Sequence, residues 1–113
     1  MNLDEYQRKA AETDLSQATQ DLTSSGFLEK VLGLVGETGE MADKIKKIIR
    51  DKNGEVDTEE RTALAKELGD VLWYLASVAR YLGLSLDDVA RMNLEKLASR
   101  QKRGKLHGTG DER

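Results

Sequence analysis

The chain contains no cysteine, no proline, a single histidine and no long apolar run. Each absence narrows what the protein can be. Without cysteine there is neither a disulfide framework nor a thiolate metal site. Without proline the strongest helix breaker is missing, which fits long uninterrupted helices. The histidine, His107, stands in the C-terminal tail, so the Glu-x-x-His motifs of di-iron helical bundles do not occur and a ferritin-like centre does not fit. No apolar run approaches the ~18 residues of a membrane span. The opening MNLDEYQRKAAETDL has no apolar signal-peptide core, so a cytoplasmic protein without a membrane partner is expected. Neither sign of charge dominates: 18 basic and 21 acidic side chains leave a net charge of −3, which argues against nucleic acid as a stable partner.

What the chain does have is helical periodicity. Its 113 residues suit one domain with a single core. Asn2 is placed to cap a first helix, with Glu5 as its partner, running to about Thr13. Residues 14–26 hold no firm period and read as a loop or a loosely held turn. A second helix is expected from about Phe27 to Lys52, with Leu28, Val31, Leu32, Val35, Ala42, Ile45 and Ile49 at three- and four-residue spacing. Asn53-Gly54 signals a turn. A third helix starts near Asp57, pairs it with Glu60, buries Leu64, Leu68, Val71, Leu72, Leu75, Val78, Ala79 and Leu82, and stops at Gly83. Ser85 with Asp88 opens a fourth, which ends near Arg103 and Gly104, leaving residues 104–113 as a polar tail. The expectation is an all-α bundle of about four helices, its two longest antiparallel, with the apolar faces of so small a chain completed by oligomerisation.

The acids are the first feature with chemical content. Positions three apart share a helix face, so Glu37 and Glu40 are neighbours, as are Glu67 and Asp70. The stripe through Val31, Val35, Ala42, Ile45 and Ile49 lies roughly 160° from the first pair, yet Leu34, Met41 and Ile48 fill part of the arc between, so the acid-bearing side is itself expected to be partly covered. Two such pairs on antiparallel neighbours bring four carboxylates together. Converging carboxylates repel unless cations balance them, and hard oxygen ligands on rigid helices select Mg²⁺ or Mn²⁺. The plainer alternative is two solvated faces, with Lys44 and Lys47 paired to Glu40. Three glycines, Gly33, Gly36 and Gly39, crowd the same stretch. They cost a helix roughly 1 kcal/mol each relative to alanine and read as clearance for a neighbouring helix or ligand.

The second feature is a cationic stripe. Asn93, Lys96, Arg100 and Arg103 follow one another at spacings of three, four and three on the fourth helix. Arginine suits phosphate oxygens as a fork and lysine as a point charge. Beside four acids, the stripe completes a site for a metal-bound polyphosphate. Tyr74 and Trp73 are candidates to flank a base or sugar, and residues 17–27 to close over it from this or another subunit. Lys105 and His107 are candidate contacts from a tail whose glycine amides would lie near phosphate.

These residues resemble a known family. Glu37-x-x-Glu40, 26 intervening residues, then Glu67-x-x-Asp70, in the words GLVGETGEMADKIKK, KELGDVLWYLA and NLEKLASRQKRGKLHG, are similar to the MazG-like all-α nucleoside triphosphate pyrophosphohydrolases from about Leu22 to the C-terminus. The resemblance implies hydrolysis of a (d)NTP to (d)NMP and pyrophosphate by attack at the α-phosphorus, in a homodimer or a homotetramer made of two dimers. It implies Mg²⁺, with Mn²⁺ as a substitute, held by Glu37, Glu40, Glu67 and Asp70. It places Asn93, Lys96 and Arg100, and with them Lys44, near sugar and phosphates. A non-catalytic nucleotide binder or a structural oligomer of the same fold is the competing reading. House-cleaning, dUTP control or shaping of a viral nucleotide pool in a host cytoplasm all remain compatible.

Overall fold

A computed structural model describes residues 1–16, 18–19 and 21–113. Four helices follow in chain order: α1 Leu3–Ala11, α2 Ser25–Lys52, α3 Thr58–Tyr81 and α4 Leu86–Lys102. Each start has a side-chain cap accepting from an otherwise unpaired N–H. Asn2 accepts from the Glu5 amide at 2.8 Å, Ser24 from Phe27 at 3.2 Å and Ser85 from Asp88 at 3.2 Å. Asp57 and Glu60 form a reciprocal capping box. Ser24 moves the start of α2 two residues ahead of the expected Phe27. The connection between α2 and α3 works as its Asn53-Gly54 pair suggests, with both residues left-handed (φ 54° and 82°).

The α2 and α3 helices form an antiparallel hairpin. The face of α2 turned to α3 follows a four-three rhythm: Lys30, Leu34, Glu37, Met41, Lys44 and Ile48 are all buried or half-buried. This side carries Glu37, half-buried, while Glu40 is exposed, so the acid-bearing side is covered only in part. The stripe read as the main apolar face points outward instead: Val35 is 65% exposed and Ile49 60%, with Leu28 and Leu32 equally open. The helix is apolar on two sides, and among the described residues only one of them finds a partner. Leu68 and Leu75 on α3 and Leu82 just past its end repeat the pattern, as do Met92 and Leu94 on α4.

The small core gathers where α1 crosses the α3–α4 corner, around Ala76, Ala79, Tyr81 and Leu86. Gln7 fastens that corner: its amide nitrogen donates to the carbonyls of Ala76 and Leu84, and its amide oxygen accepts from the Leu86 N–H. No contact links α2 with α4 among the described residues. The radius of gyration is 16.9 Å, against roughly 13 Å for a compact domain of this length. The accessible surface is 8188 Å², where a folded monomer of this mass exposes about 6200 Å². No helix among the described residues is long and apolar enough to cross a membrane.

Candidate active site

Three of the four acids converge between α2 and α3. One carboxylate oxygen from each of Glu37, Glu67 and Asp70 lies within 4.8 Å of the other two. Glu40 stands one helical turn away on an open face of α2, lining a shallow recess with Gly36, Gly39, Asp43, Lys44 and Lys47. Glu67 is the buried member. One of its oxygens accepts from Lys44 Nζ at 2.6 Å, and the other is buried with no donor among the described residues.

The electrostatics follow from this crowding. Burial, and then the like charges of Glu40, Asp70 and Glu67, push the Glu37 carboxyl above its ordinary range. Glu67 goes the other way, held down by the hydrogen bond from the Lys44 ammonium. Lys44 is raised by the same bond. The site thus carries excess negative charge and one resident cation, while Lys47 pairs with Asp43 rather than Glu40. Three converging carboxylates and a buried oxygen lacking a donor fit a small hard divalent cation, whose oxygen-ligand demand matches this donor set.

Beside the acids opens a cleft of about 370 Å³ lined by Thr13, Glu37, Asp70, Trp73 and Tyr74. Both aromatic candidates therefore border the acid cluster. Their rings meet edge to face at 5.0 Å. The Tyr74 ring packs against α2 at Gly33, where a Cβ would stand 2.1 Å from it. Gly33 is therefore clearance for a side chain of the same chain. A Cβ at Gly36 or Gly39 meets nothing within 4 Å among the described residues, which give those two glycines no packing role.

The cationic stripe of α4 is not brought to this cleft within one chain. The tail folds back onto it instead. Lys96 pairs with Asp111 at 3.1 Å. Arg100, only 4% exposed, donates to the carbonyls of Gly110 and Asp111 and to the Asp111 carboxylate. Arg103 donates to the Ser99 hydroxyl and the Arg113 carbonyl. Asn93, Lys105 and His107 are exposed. Of residues 17–27, Gln17 and Gln20 lie outside the described residues, and Phe27 packs towards Tyr81.

Sequence reasoning passed over a buried charge cluster behind the aromatic wall. Asp14, in the aperiodic stretch after α1, accepts from Lys30 Nζ at 3.1 Å, Arg80 at 2.6 Å, the Tyr81 hydroxyl at 2.9 Å and the Ser16 N–H at 2.9 Å. Burial pushes its carboxyl up, but these hydrogen bonds outweigh burial and hold it at about 2. The available signal was Lys30 itself, a lysine in register with the covered face of α2.

The structure is an all-helical hairpin carrying carboxylates at the α2–α3 seam beside an aromatic cleft, an arrangement able to hold a hard divalent cation. The chain belongs to the MazG nucleotide pyrophosphohydrolase family, whose domain matches residues 26–104. It is 46% identical to Gene 37 protein of Mycobacterium phage L5 over the whole of both chains. It is 35% identical to YvdC, described as an uncharacterized protein, of Bacillus subtilis (strain 168), over 69% of this chain and 78% of that one. No solved structure matches.

Proposed function

We propose that the protein is a Mg²⁺-dependent nucleoside triphosphate pyrophosphohydrolase, cleaving a (d)NTP to (d)NMP and pyrophosphate in nucleotide-pool control or house-cleaning. The observation that carries the reading is the convergence of Glu37, Glu67 and Asp70 beside the Trp73–Tyr74 cleft in a chain of this family. These three acids, with Glu40 one turn away, would hold the metal. When bound, Mg²⁺ neutralises the triphosphate and acidifies a water.

The chain's own groups supply the rest. One carboxylate not fully engaged on the metal, Glu37 or Glu40, takes the proton of the attacking water. The new bond forms from the water oxygen to the α-phosphorus. The α-phosphorus–oxygen bond to the β-phosphate breaks, and pyrophosphate leaves with that electron pair. Lys44 is the near cation for phosphate oxygens. Trp73 and Tyr74 offer ring faces to base or sugar.

The cations of α4 join such a site only if another subunit brings them. The surface excess and the open stripes of α2, α3 and α4 support a homodimer or a homotetramer of two dimers. A phage relative supports a host-cell cytoplasmic setting.

The test is pyrophosphate release from a panel of NTPs and dNTPs with Mg²⁺, comparing wild type with Glu67→Gln and Asp70→Asn. Turnover in wild type and a fall of at least ~100-fold in both variants are expected, since lost outer partners of a metal site already cost 10–100-fold. Full activity in both variants would sink the reading.

A further inference from the structure

Trp73 is the only tryptophan of the chain, and three different elements constrain it. The Thr13 hydroxyl oxygen, just past α1, accepts from its indole N–H at 2.8 Å. From α2, the Lys30 ammonium stands 5.7 Å from the ring centroid. Tyr74 of α3 meets it edge to face at an interplanar angle of 84°. Thr13 is itself fixed, its hydroxyl donating to the Ala10 carbonyl at 2.7 Å. The next residue is Asp14, clamped by donors from α2 and α3. The segment after α1 is thus a strap, nailed down at Asp14, that reaches the cleft through Thr13.

Among the described residues the Thr13 hydroxyl bonds to Ala10 and Trp73 and not to the three converging acids, yet it lines the cleft and takes the only polar hydrogen of the indole. An indole so engaged can show a ligand its π-face but cannot donate to a base edge. We infer that Thr13 is a positioning residue for substrate affinity: it locks the Trp73 indole so that the ring presents a fixed stacking face to the base of the nucleotide. This rests on the proposed function, because it takes a nucleotide as the occupant of the cleft. Stacking is tolerant of base identity, since every base has a π-face. The recognition it provides is therefore broad, and selection among bases must come from other groups.

The test uses the full-length chain as wild type, Thr13→Val and Thr13→Ser. Valine keeps the shape and removes the acceptor; serine keeps the acceptor. Steady-state pyrophosphate release is measured with dATP, dGTP, dCTP, dTTP and dUTP. Binding is read independently by quenching of Trp73 fluorescence with the α,β-imido analogues of the same five nucleotides. Thr13→Val is expected to raise KM about fivefold for all five, from weakened stacking, with kcat within about twofold of wild type. It should weaken the quenching titrations by the same factor and lower the Trp73 anisotropy of the free protein; Thr13→Ser should restore all three. Unchanged KM and anisotropy in Thr13→Val, or a loss confined to kcat, would overturn the inference. If wild type turns over none of the five, the functional reading fails by itself. The quenching titrations still decide this one: equal midpoints for wild type and Thr13→Val, or no quenching at all, overturn it.

Discussion

Replacing Asp14 by asparagine should destabilise the protein by about 3 kcal/mol, and two routes lead to that magnitude. The first is the cost of stranding a buried cation. The side chains of Asp14 and Lys30 are 2% and 3% exposed, and removing one partner of a buried ion pair costs ~3–5 kcal/mol. Arg80, at 24%, can recover hydration, so the lower end applies. The second route is proton linkage. A carboxyl held at about 2 rather than its ordinary 3.8 contributes ~2.5 kcal/mol at neutral pH. Because the folded-state value is depressed, this contribution is present above about pH 4 and disappears as pH falls towards 2. Urea unfolding followed by far-UV circular dichroism is the assay, at one fixed protein concentration because association would shift the midpoint. The midpoint should fall with the slope unchanged, and wild type and variant should converge near pH 2. Adding Lys30→Met should give a double variant less unstable than the two single losses summed, by at least ~1 kcal/mol. A change within ~0.5 kcal/mol at pH 7, or a gap of the same size at pH 2, would refute the reasoning.

Gly33→Ala should destabilise by ~1–3 kcal/mol through overpacking on Tyr74, although helix propensity alone favours alanine by ~1 kcal/mol; thermal melts of Gly33→Ala with and without Tyr74→Ala check this, since the smaller partner should relieve the clash. Gly36→Ala and Gly39→Ala should be neutral or stabilising by up to ~1 kcal/mol, and a loss of assembly in size-exclusion chromatography would instead reveal a second copy packed there. Glu37→Gln should raise the melting midpoint of the metal-free protein by relieving repulsion among the acids, shrink the rise produced by Mg²⁺, and lower turnover by at least ~100-fold; a midpoint below wild type in chelator would contradict the electrostatic account. Removing residues 104–113 uncovers Arg100 and strips Lys96 of Asp111, so product inhibition by pyrophosphate should tighten, whereas a tail that closes over the ligand would give weaker inhibition and a higher KM.

The helices were legible because their punctuation is local: Asn2, Asp57 and Ser85 each cap within three residues, and Asn53-Gly54 turns the chain within two. The acid pairs were legible only in part: three-residue spacing keeps Glu67 and Asp70 together in the cluster, whereas of the α2 pair Glu37 joins it and Glu40 stays on the open face. Which face meets which neighbour was not. The apolar residues of α2 occupy two sides, and periodicity ranks them alike; only packing shows that Leu34 and Ile48 turn inward while Val35 and Ile49 do not. Asp14 was illegible because its partners Arg80 and Tyr81 are 66 and 67 residues away, and no window along the chain contains both ends. The α4 cations Lys96, Arg100 and Arg103 meet the tail in this chain, a neighbour their spacing does not reveal.

The strap also sets an order of events during synthesis. Thr13 and Asp14 leave the ribosome early, yet the groups that receive them, Lys30, Trp73, Arg80 and Tyr81, span almost the whole of α2 and α3. The strap cannot dock until the helical hairpin has been made nearly to its end. Residues translated before both helices are therefore among the last to find their places. The wall of the cleft that they complete is finished only when the rest of the scaffold already stands, so a truncated or stalled chain bearing the acid pair of α2 would still lack a formed cleft.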